Sequence, residues 1–146
     1  MDVASVFHFR KFWQYAAIAF LIAIFILSSI PSLTPPPLGF AWQDKLYHFA
    51  EYAVLSFLLF MALFTSIRAS WKPNAHLLAT LVAVAYAASD EIHQSFVTNR
   101  NGDFWDWVAD GVGIIVVQIL IFLGRLVLSK IKLTSPYPFP KRRGSG

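Results

Sequence analysis

Residues 107–128 read WVADGVGIIVVQILIFLGRLVL, an apolar run interrupted at only a few polar positions. An α-helix rises about 1.5 Å per residue and a bilayer core is about 30 Å thick, so about 20 apolar residues are needed to cross it. The run is long enough, and Arg125 is the only basic residue within it. It predicts a transmembrane helix and indicates that the chain is a membrane protein.

Three further apolar runs of similar length precede it, at about Phe12–Ile30, Leu46–Ile67 and His76–Phe96. Hydrophobic residues make up 57% of the 146 residues and charged residues only 14%, against about 25% charged in a typical soluble domain. The four runs leave no room for a separate soluble domain. We predict an all-α fold, with one integral membrane bundle of four transmembrane helices over residues 1–133 and a flexible basic tail over residues 134–146.

The basic residues predict how this bundle is oriented. Lys45 and Arg100 lie on one side, and the other ten Lys and Arg residues lie on the opposite side: Arg10, Lys11, Arg68, Lys72, Arg125, Lys130, Lys132, Lys141, Arg142 and Arg143. Because cytoplasmic loops carry the excess of Lys and Arg, both chain termini should be cytoplasmic. The same residues form no nucleic-acid recognition motif, so no nucleic-acid partner is expected.

The acidic residues are concentrated on the outward side. Asp2 is the exception among eight, and the other seven are Asp44, Glu51, Asp90, Glu91, Asp103, Asp106 and Asp110. A charged side chain within a membrane costs roughly 2.5–3.5 kcal/mol on insertion scales, and such residues usually face the protein interior and serve a site. The asymmetry therefore indicates where the functional site lies.

The first polar segment opens the second run. Asp44, His48, Glu51 and Tyr52 follow one another at helical spacings of three and four, so they share one face. Asp44 is partly explained as an N-cap favoured by the helix dipole. His48 and Glu51 lie one to two turns deeper, where capping does not account for them.

The second segment, Ser89-Asp90-Glu91-Ile-His93-Gln94, closes the third run. Negative charge is disfavoured at the C-terminal end of a helix, so two adjacent carboxylates there need a cation, a proton or a metal. Asp90, His93 and Gln94 share one face, and Glu91 points about 100° away. This pair of acids is the strongest functional signal in the chain.

The third segment opens the fourth run. Asp103, Asp106 and Asp110 form one stripe, and Asp103 has the position of a helix cap. Gly111 and Gly113 permit another helix to approach closely. Arg100 either neutralises two of the acids or holds a phosphate or carboxylate, and the sequence leaves both readings open.

In order and spacing these segments resemble the VanZ-like family, which is named for a protein linked with resistance to the glycopeptide teicoplanin. The resemblance covers about 44–113, and it rests on Asp44-Lys45 with His48 and Tyr52, on Asp90-Glu91 with Gln94 and Phe96, and on Arg100 with Asp106 and Asp110. It implies a small multi-pass protein of the bacterial cytoplasmic membrane with an outer polar cluster. It implies no particular reaction.

Two functions remain open for this cluster. The first is a binding site for a cell-surface ligand, either the headgroup of a lipid-linked precursor or a glycopeptide, with membrane lipid as a further partner. Its candidate residues are Asp44, Lys45, His48, Glu51, Tyr52, Asp90, Glu91, Gln94, Arg100, Asp106 and Asp110. Binding is favoured because no catalytic motif is complete.

The alternative is a metal-dependent enzyme acting on a phosphorylated or diphosphate lipid. Oxygen-rich sites suit divalent cations, and the candidate ligands are Asp90, Glu91, Asp106 and Asp110, with His48, Asp90, Glu91 and His93 as candidate catalytic groups. The absence of cysteine excludes thiolate ligands and a Cys nucleophile. Transport of protons is disfavoured because the inner halves of the runs are nearly free of ionisable groups.

Overall fold

A computed structural model describes residues 3–33, 35–66, 68–100 and 102–134. Within these ranges the chain is entirely helical apart from turns and connecting loops, and a short 3₁₀ turn, Ala69–Trp71, lies between the second and third long helices. The four long helices are α1 (Val3–Ser28), α2 (Gln43–Phe64), α3 (Ala75–Gln94) and α4 (Phe104–Thr134). All four are long and apolar enough to cross a membrane. The predicted all-α membrane bundle is confirmed.

The helices extend beyond the apolar runs that predicted them. α1 begins at Val3 and includes Arg10 and Lys11, while α4 continues to Thr134. Helical hydrogen bonds close within the segment itself, so a helix continues into polar flanks for as long as the backbone is free to do so. Most of the predicted flexible tail, residues 135–146, lies outside the described residues.

Small residues bring the helices close together. Ala75, Ala79, Ala83 and Ala87 recur every fourth residue along α3, and all four are fully buried. Such a stripe lets neighbouring backbones approach, as is typical of helices packed in a membrane. α2 contacts all three other long helices, and its most extensive contact is with α4. The α2–α4 pair therefore forms the centre of the bundle.

A glycine permits a close approach within this pair. A Cβ atom added to Gly113 of α4 would lie 2.2 Å from the carbonyl oxygen of Phe49 on α2, which is much closer than any non-bonded contact. A Cβ added to Gly111 would meet nothing within 4 Å. Of the two glycines expected to permit close packing, only Gly113 lies at the crossing.

Candidate functional site

The acidic residues collect at the end of the bundle where α1 and α3 terminate and α2 and α4 begin, which we call the acidic end. The start of α2 carries Asp44, Lys45 and His48, and the end of α3 carries Asp90 and Glu91. Asp44 lies in the first turn of α2 and is not its N-cap, because the capping position is Trp42. Its charge still lies where the helix dipole favours an anion.

One imidazole lies among three carboxylates from two other helices. His48 Nδ1 shares a hydrogen bond with Asp110 Oδ1 at 3.1 Å and lies 3.9 Å from Glu91 Oε1, while Nε2 lies 3.8 Å from Asp106 Oδ2. We call these four side chains the His48 cluster. The His48 side chain is 12% exposed and the Asp110 side chain 1% exposed. The cluster is therefore a buried, negatively charged site at the junction of α2, α3 and α4.

Two oxygens of the cluster have no hydrogen-bond partner. Asp110 Oδ2 and Glu91 Oε1 are both buried and unsatisfied, as is the hydroxyl of Tyr52 one turn below His48. Leaving a buried polar atom unpaired costs about 1–3 kcal/mol, and more when the group is charged. These oxygens have free lone pairs and are available to a further cation or donor.

Lys45 is occupied by the protein's own acids. Its Nζ donates to Asp106 Oδ1 at 2.5 Å and to Asp103 Oδ2 at 2.8 Å, and it lies 3.7 Å from Asp44. The hydrogen bond from Lys45 holds the pKa of the Asp103 carboxyl below its ordinary value, and the backbone N–H of Trp105 adds to the effect. Lys45 therefore neutralises carboxylates at the start of α4 and is not free to bind an anionic ligand.

Asp103 ties the loop before α4 to the end of α3. Its Oδ1 accepts the backbone N–H of Trp105, which satisfies a free donor in the first turn of α4, as expected of a cap. Its own N–H donates to Glu91 Oε2 at 2.8 Å. Gly102 beside it lies so near α3 that an added Cβ would be 2.5 Å from the Glu91 carbonyl oxygen. These contacts fix the position of the Glu91 carboxylate.

In the described part of the chain Arg100 does not neutralise two acids directly, and its role as a ligand-binding residue stays a prediction. Its guanidinium donates to Gln94 Oε1 at 3.2 Å and to the backbone carbonyls of Leu27 and Ile30 at 3.1 and 3.3 Å. Carbonyls at a helix C-terminus lack helical partners and attract cations, so Arg100 closes the end of α1. Gln94 in turn donates to Asp90 Oδ2 at 2.9 Å. Among the described residues Arg100 has no direct ion pair with a carboxylate.

His93 and Glu51 lie apart from the hydrogen bonds of the His48 cluster. His93 Nε2 lies 2.9 Å from the hydroxyl of Ser29, and its ring stacks on Phe25 at 4.9 Å, so it joins α3 to α1. Glu51 is half-buried on α2. The structure thus divides the predicted site into the His48 cluster and a separate chain formed by Asp90, Gln94 and Arg100.

A groove runs beside the cluster between α3 and α4. Its upper part is an open cavity of about 430 Å³ whose lining includes Glu91, Asp103, Ile92, Phe104 and Trp107. A second cavity of about 300 Å³ shares Trp107 and continues between the two helices, with a lining of Val84, Ala87, Trp107, Val108, Gly111, Val112 and Ile115. We call the two cavities together the α3–α4 groove. Its lining is mostly apolar along its whole length, and the carboxylates of Glu91 and Asp103 border it only at the acidic end.

A second polar network, not predicted from the sequence, lies in the other half of the bundle. Gln118 of α4 donates to the Ser56 hydroxyl of α2 at 2.8 Å, and its oxygen lies 2.7 Å from His76 Nδ1 of α3. Arg125 lies 3.4 Å from the other ring nitrogen of His76. Gln118 is eight residues after Asp110 and so falls on the same helix face. This spacing is the sequence feature from which the second network could have been predicted.

The comparisons with known proteins agree with the sequence resemblance. A family model described as VanZ/LLP1 matches residues 3–127. No curated protein and no solved structure matches the chain. The match includes all three polar segments and most of each long helix.

Proposed function

The chain is a multi-pass membrane protein that belongs to the VanZ/LLP1 family, and from this premise we propose that its acidic end binds the headgroup of a lipid-linked molecule of the cell envelope. The main support for the proposal is that the α3–α4 groove reaches the buried acids. Glu91 belongs both to this groove and to the His48 cluster. A headgroup in the groove would therefore lie beside the buried acids.

The lining of the groove suits an amphipathic ligand. Ile92 and Phe104 are large apolar side chains more than 60% exposed on the surface of membrane-spanning helices, so the groove is accessible from the lipid. Apolar chains associate with the mostly apolar lining, while Glu91 and Asp103 border the groove at the acidic end. A lipid-linked ligand can contact both, whereas a soluble glycopeptide reaching the acidic end from water does not need the apolar lining.

Charge determines what kind of headgroup can bind. The acidic end carries seven carboxylates and two cations, Lys45 and Arg100, so 2 − 7 gives −5 if every carboxylate is ionised and His48 is neutral. Both cations already donate to the protein's own oxygens. Carboxylates this close to one another disfavour each other's ionisation. An amine on the headgroup can therefore bind directly, and a phosphate needs an accompanying cation.

The proposal includes a location and an orientation. The acidic end faces outward from the bacterial cytoplasmic membrane, where lipid-linked envelope precursors are exposed, and the opposite end faces the cytoplasm. Support comes from the basic residues, since Arg10, Lys11, Arg68, Lys72 and Arg125 all lie toward the opposite end. An excess of Lys and Arg marks the cytoplasmic side.

The experiment measures binding of a polyprenyl diphosphate to the purified chain by native mass spectrometry, with millimolar MnCl₂ present. Ala88 lines the groove and Ala85 is exposed on the same helix outside it. We expect Ala88→Phe to fill the groove and weaken binding by roughly tenfold, the cost of about 1.4 kcal/mol of lost contact. Ala85→Phe serves as the matched control and should bind as wild type does.

Four outcomes would contradict the proposal or replace it. Equal binding by Ala88→Phe would mean that the groove does not hold the lipid. Equal binding of the polyprenol without its diphosphate would remove the role of the headgroup. Binding of teicoplanin in place of the lipid would favour the glycopeptide function and a role in antibiotic resistance. Release of phosphate during the incubation would instead indicate the metal-dependent enzyme that the sequence left as the alternative.

A further inference from the structure

We propose that His48, Glu91 and Asp110 together bind one divalent transition cation such as Mn²⁺ or Zn²⁺. Each residue comes from a different helix, α2, α3 and α4 respectively. The geometry of this site does not depend on lipid binding. Only the role of the cation as the partner of an anionic headgroup rests on the proposed function.

The donor atoms are already gathered at the spacing of a metal site. One ligand atom from each of the three residues lies within 4.8 Å of the other two, and the Nδ1 distances to Asp110 Oδ1 and Glu91 Oε1 are 3.1 and 3.9 Å. Ligand bonds of about 2.0–2.2 Å place donors on one ion no more than about 4.4 Å apart. Small side-chain rotations therefore suffice to bring all three onto a common centre.

The unsatisfied oxygens point independently to a missing cation. Asp110 is fully buried, with its side chain 1% exposed, and its Oδ2 has no hydrogen-bond partner. Glu91 Oε1, which faces the same imidazole, is also without a partner. A buried carboxylate needs an ion pair, hydrogen bonds or a metal to offset its desolvation. A cation at this centre would satisfy Glu91 Oε1, and it would also satisfy Asp110 Oδ2 if the Asp110 carboxylate bound it through both oxygens.

A second group of residues at the acidic end also has ligand atoms at a spacing typical of a metal site, but it is a poorer site. Asp44, His48 and Asp106 offer ligand atoms within 4.8 Å of one another. Asp106, however, already accepts the Lys45 ammonium at 2.5 Å, and Asp44 is 54% exposed. A resident ammonium repels a second cation. The structure therefore favours the buried set over this outer one.

The ligand types also limit the choice of metal. Two carboxylates and one imidazole suit Zn²⁺, while Mn²⁺ accepts oxygen-rich sets, and both leave coordination positions for a further oxygen. Glu91 also lines the α3–α4 groove, so those positions can be reached from it. A phosphate oxygen could enter there, which would overcome the repulsion between an anionic headgroup and the acids.

The competing explanation is that His48 itself supplies the positive charge. A protonated imidazole at Nδ1 would pair with Asp110 and Glu91, with Asp106 near Nε2, and no metal would be needed. The two explanations differ in an observable way. A protonated His48 predicts no stoichiometric uptake of metal by the wild-type chain.

The test is a metal titration of the purified chain after treatment with EDTA and dialysis. Binding of Mn²⁺ is monitored by electron paramagnetic resonance, and binding of Zn²⁺ is measured by calorimetry. We expect one ion per chain for at least one metal. Asp110→Asn and Glu91→Gln should weaken binding by roughly tenfold or more, because loss of even an outer-shell partner commonly costs that much. Asp44→Asn is the matched control and should bind as wild type does.

Absence of stoichiometric binding by wild type at millimolar metal would overturn the proposal in favour of a protonated His48. Loss of binding in Asp44→Asn with retention in Asp110→Asn would overturn it in favour of the outer grouping. The wild-type result stands even if a variant fails to fold, which circular dichroism would reveal. No lipid is present, so this failure is distinguishable from failure of headgroup binding.

Discussion

The His48 imidazole of α2 and the Asp110 carboxylate of α4 lie 3.1 Å apart, next to a close backbone approach between the two helices at Phe49 and Gly113. Phe49 follows His48 directly, and Gly113 lies three residues after Asp110 on the same face of α4. The crossing at Phe49 and Gly113 therefore sets the distance across which His48 and Asp110 meet. Packing and site geometry depend on the same contact.

We predict that Gly113→Ala lowers stability and separates His48 from Asp110. The new Cβ would lie 2.2 Å from a backbone carbonyl oxygen, so the helices must move apart. Overpacking of this kind costs about 1–3 kcal/mol, more than the roughly 0.5–1 kcal/mol that Ala gains over Gly in a helix. The net change in stability is measured by thermal unfolding in detergent, monitored by tryptophan fluorescence.

Gly124→Ala is the control for this prediction, because nothing lies within 4 Å of an added Cβ at that position of α4. It should unfold at the wild-type temperature or slightly above. If Gly113→Ala behaved like Gly124→Ala, the crossing would not constrain the α2–α4 pair.

The number of helices and the position of the acidic end were predictable from local patterns. Apolar run length depends on bilayer thickness alone, and spacings of three and four place side chains on one face whatever the tertiary structure. The stripe that includes His48 on α2 and the stripe that includes Asp110 on α4 both follow from this rule. Each pattern is contained within a single helix.

Contacts between helices were less predictable. Arg100 donates to backbone carbonyls at the end of α1 and just after it, some 70 positions earlier in the chain, and no side-chain pattern marks the carbonyls that accept from a distant side chain. His93 and His48 look alike in sequence, yet one packs on Phe25 and the other lies among acids. Gly111 and Gly113 differ only in which side of α4 faces α2. All three outcomes depend on how the helices are rotated against one another.

We predict a pH-dependent contribution of Asp103 to stability. Its hydrogen bond from Lys45 lowers the pKa of the carboxyl below the ordinary value of 3.8. A carboxylate with a depressed native pKa stabilises the fold above its unfolded pKa, and this contribution is lost as the pH falls through the native pKa. Asp103→Asn should therefore unfold at a lower temperature than wild type at neutral pH.

The difference should disappear as the solution is acidified through the native pKa, because both chains then carry a neutral side chain at this position. Asn is also a good N-cap, so the substitution tests the charge while keeping a group that can accept the Trp105 N–H. Unfolding temperatures of both chains across this pH range give the comparison. A difference that stayed constant at all pH values would show that geometry, not charge, is responsible.

We predict that single cysteines report the orientation of the bundle. The chain contains no cysteine, so each introduced thiol is unique. Leu38 is exposed in the loop before α2, and Ser70 is exposed in the loop before α3. In intact spheroplasts Leu38→Cys should react with a membrane-impermeant maleimide, and Ser70→Cys should react only after lysis. The reverse pattern would place the acidic end in the cytoplasm and contradict an outward-facing site.

We predict that Gln118 couples α4 to both α2 and α3 in the half of the bundle away from the acidic end. Gln118→Leu keeps similar volume but removes partners of the Ser56 hydroxyl and of His76 Nδ1. Hydrogen bonds between membrane helices average about 0.6 kcal/mol and reach about 1.7 kcal/mol, so the expected loss is modest. Thermal unfolding of Gln118→Leu, Ser56→Ala and the double variant measures it.

The double variant distinguishes a shared contact from two independent losses. If Gln118 and Ser56 act through one hydrogen bond, the double variant should lose less stability than the two single losses combined. Gln118→Leu alone should cost more than Ser56→Ala, because it also releases His76 while Ser56→Ala does not. Strict additivity would mean that the hydrogen bond between the Ser56 hydroxyl and Gln118 contributes nothing to stability.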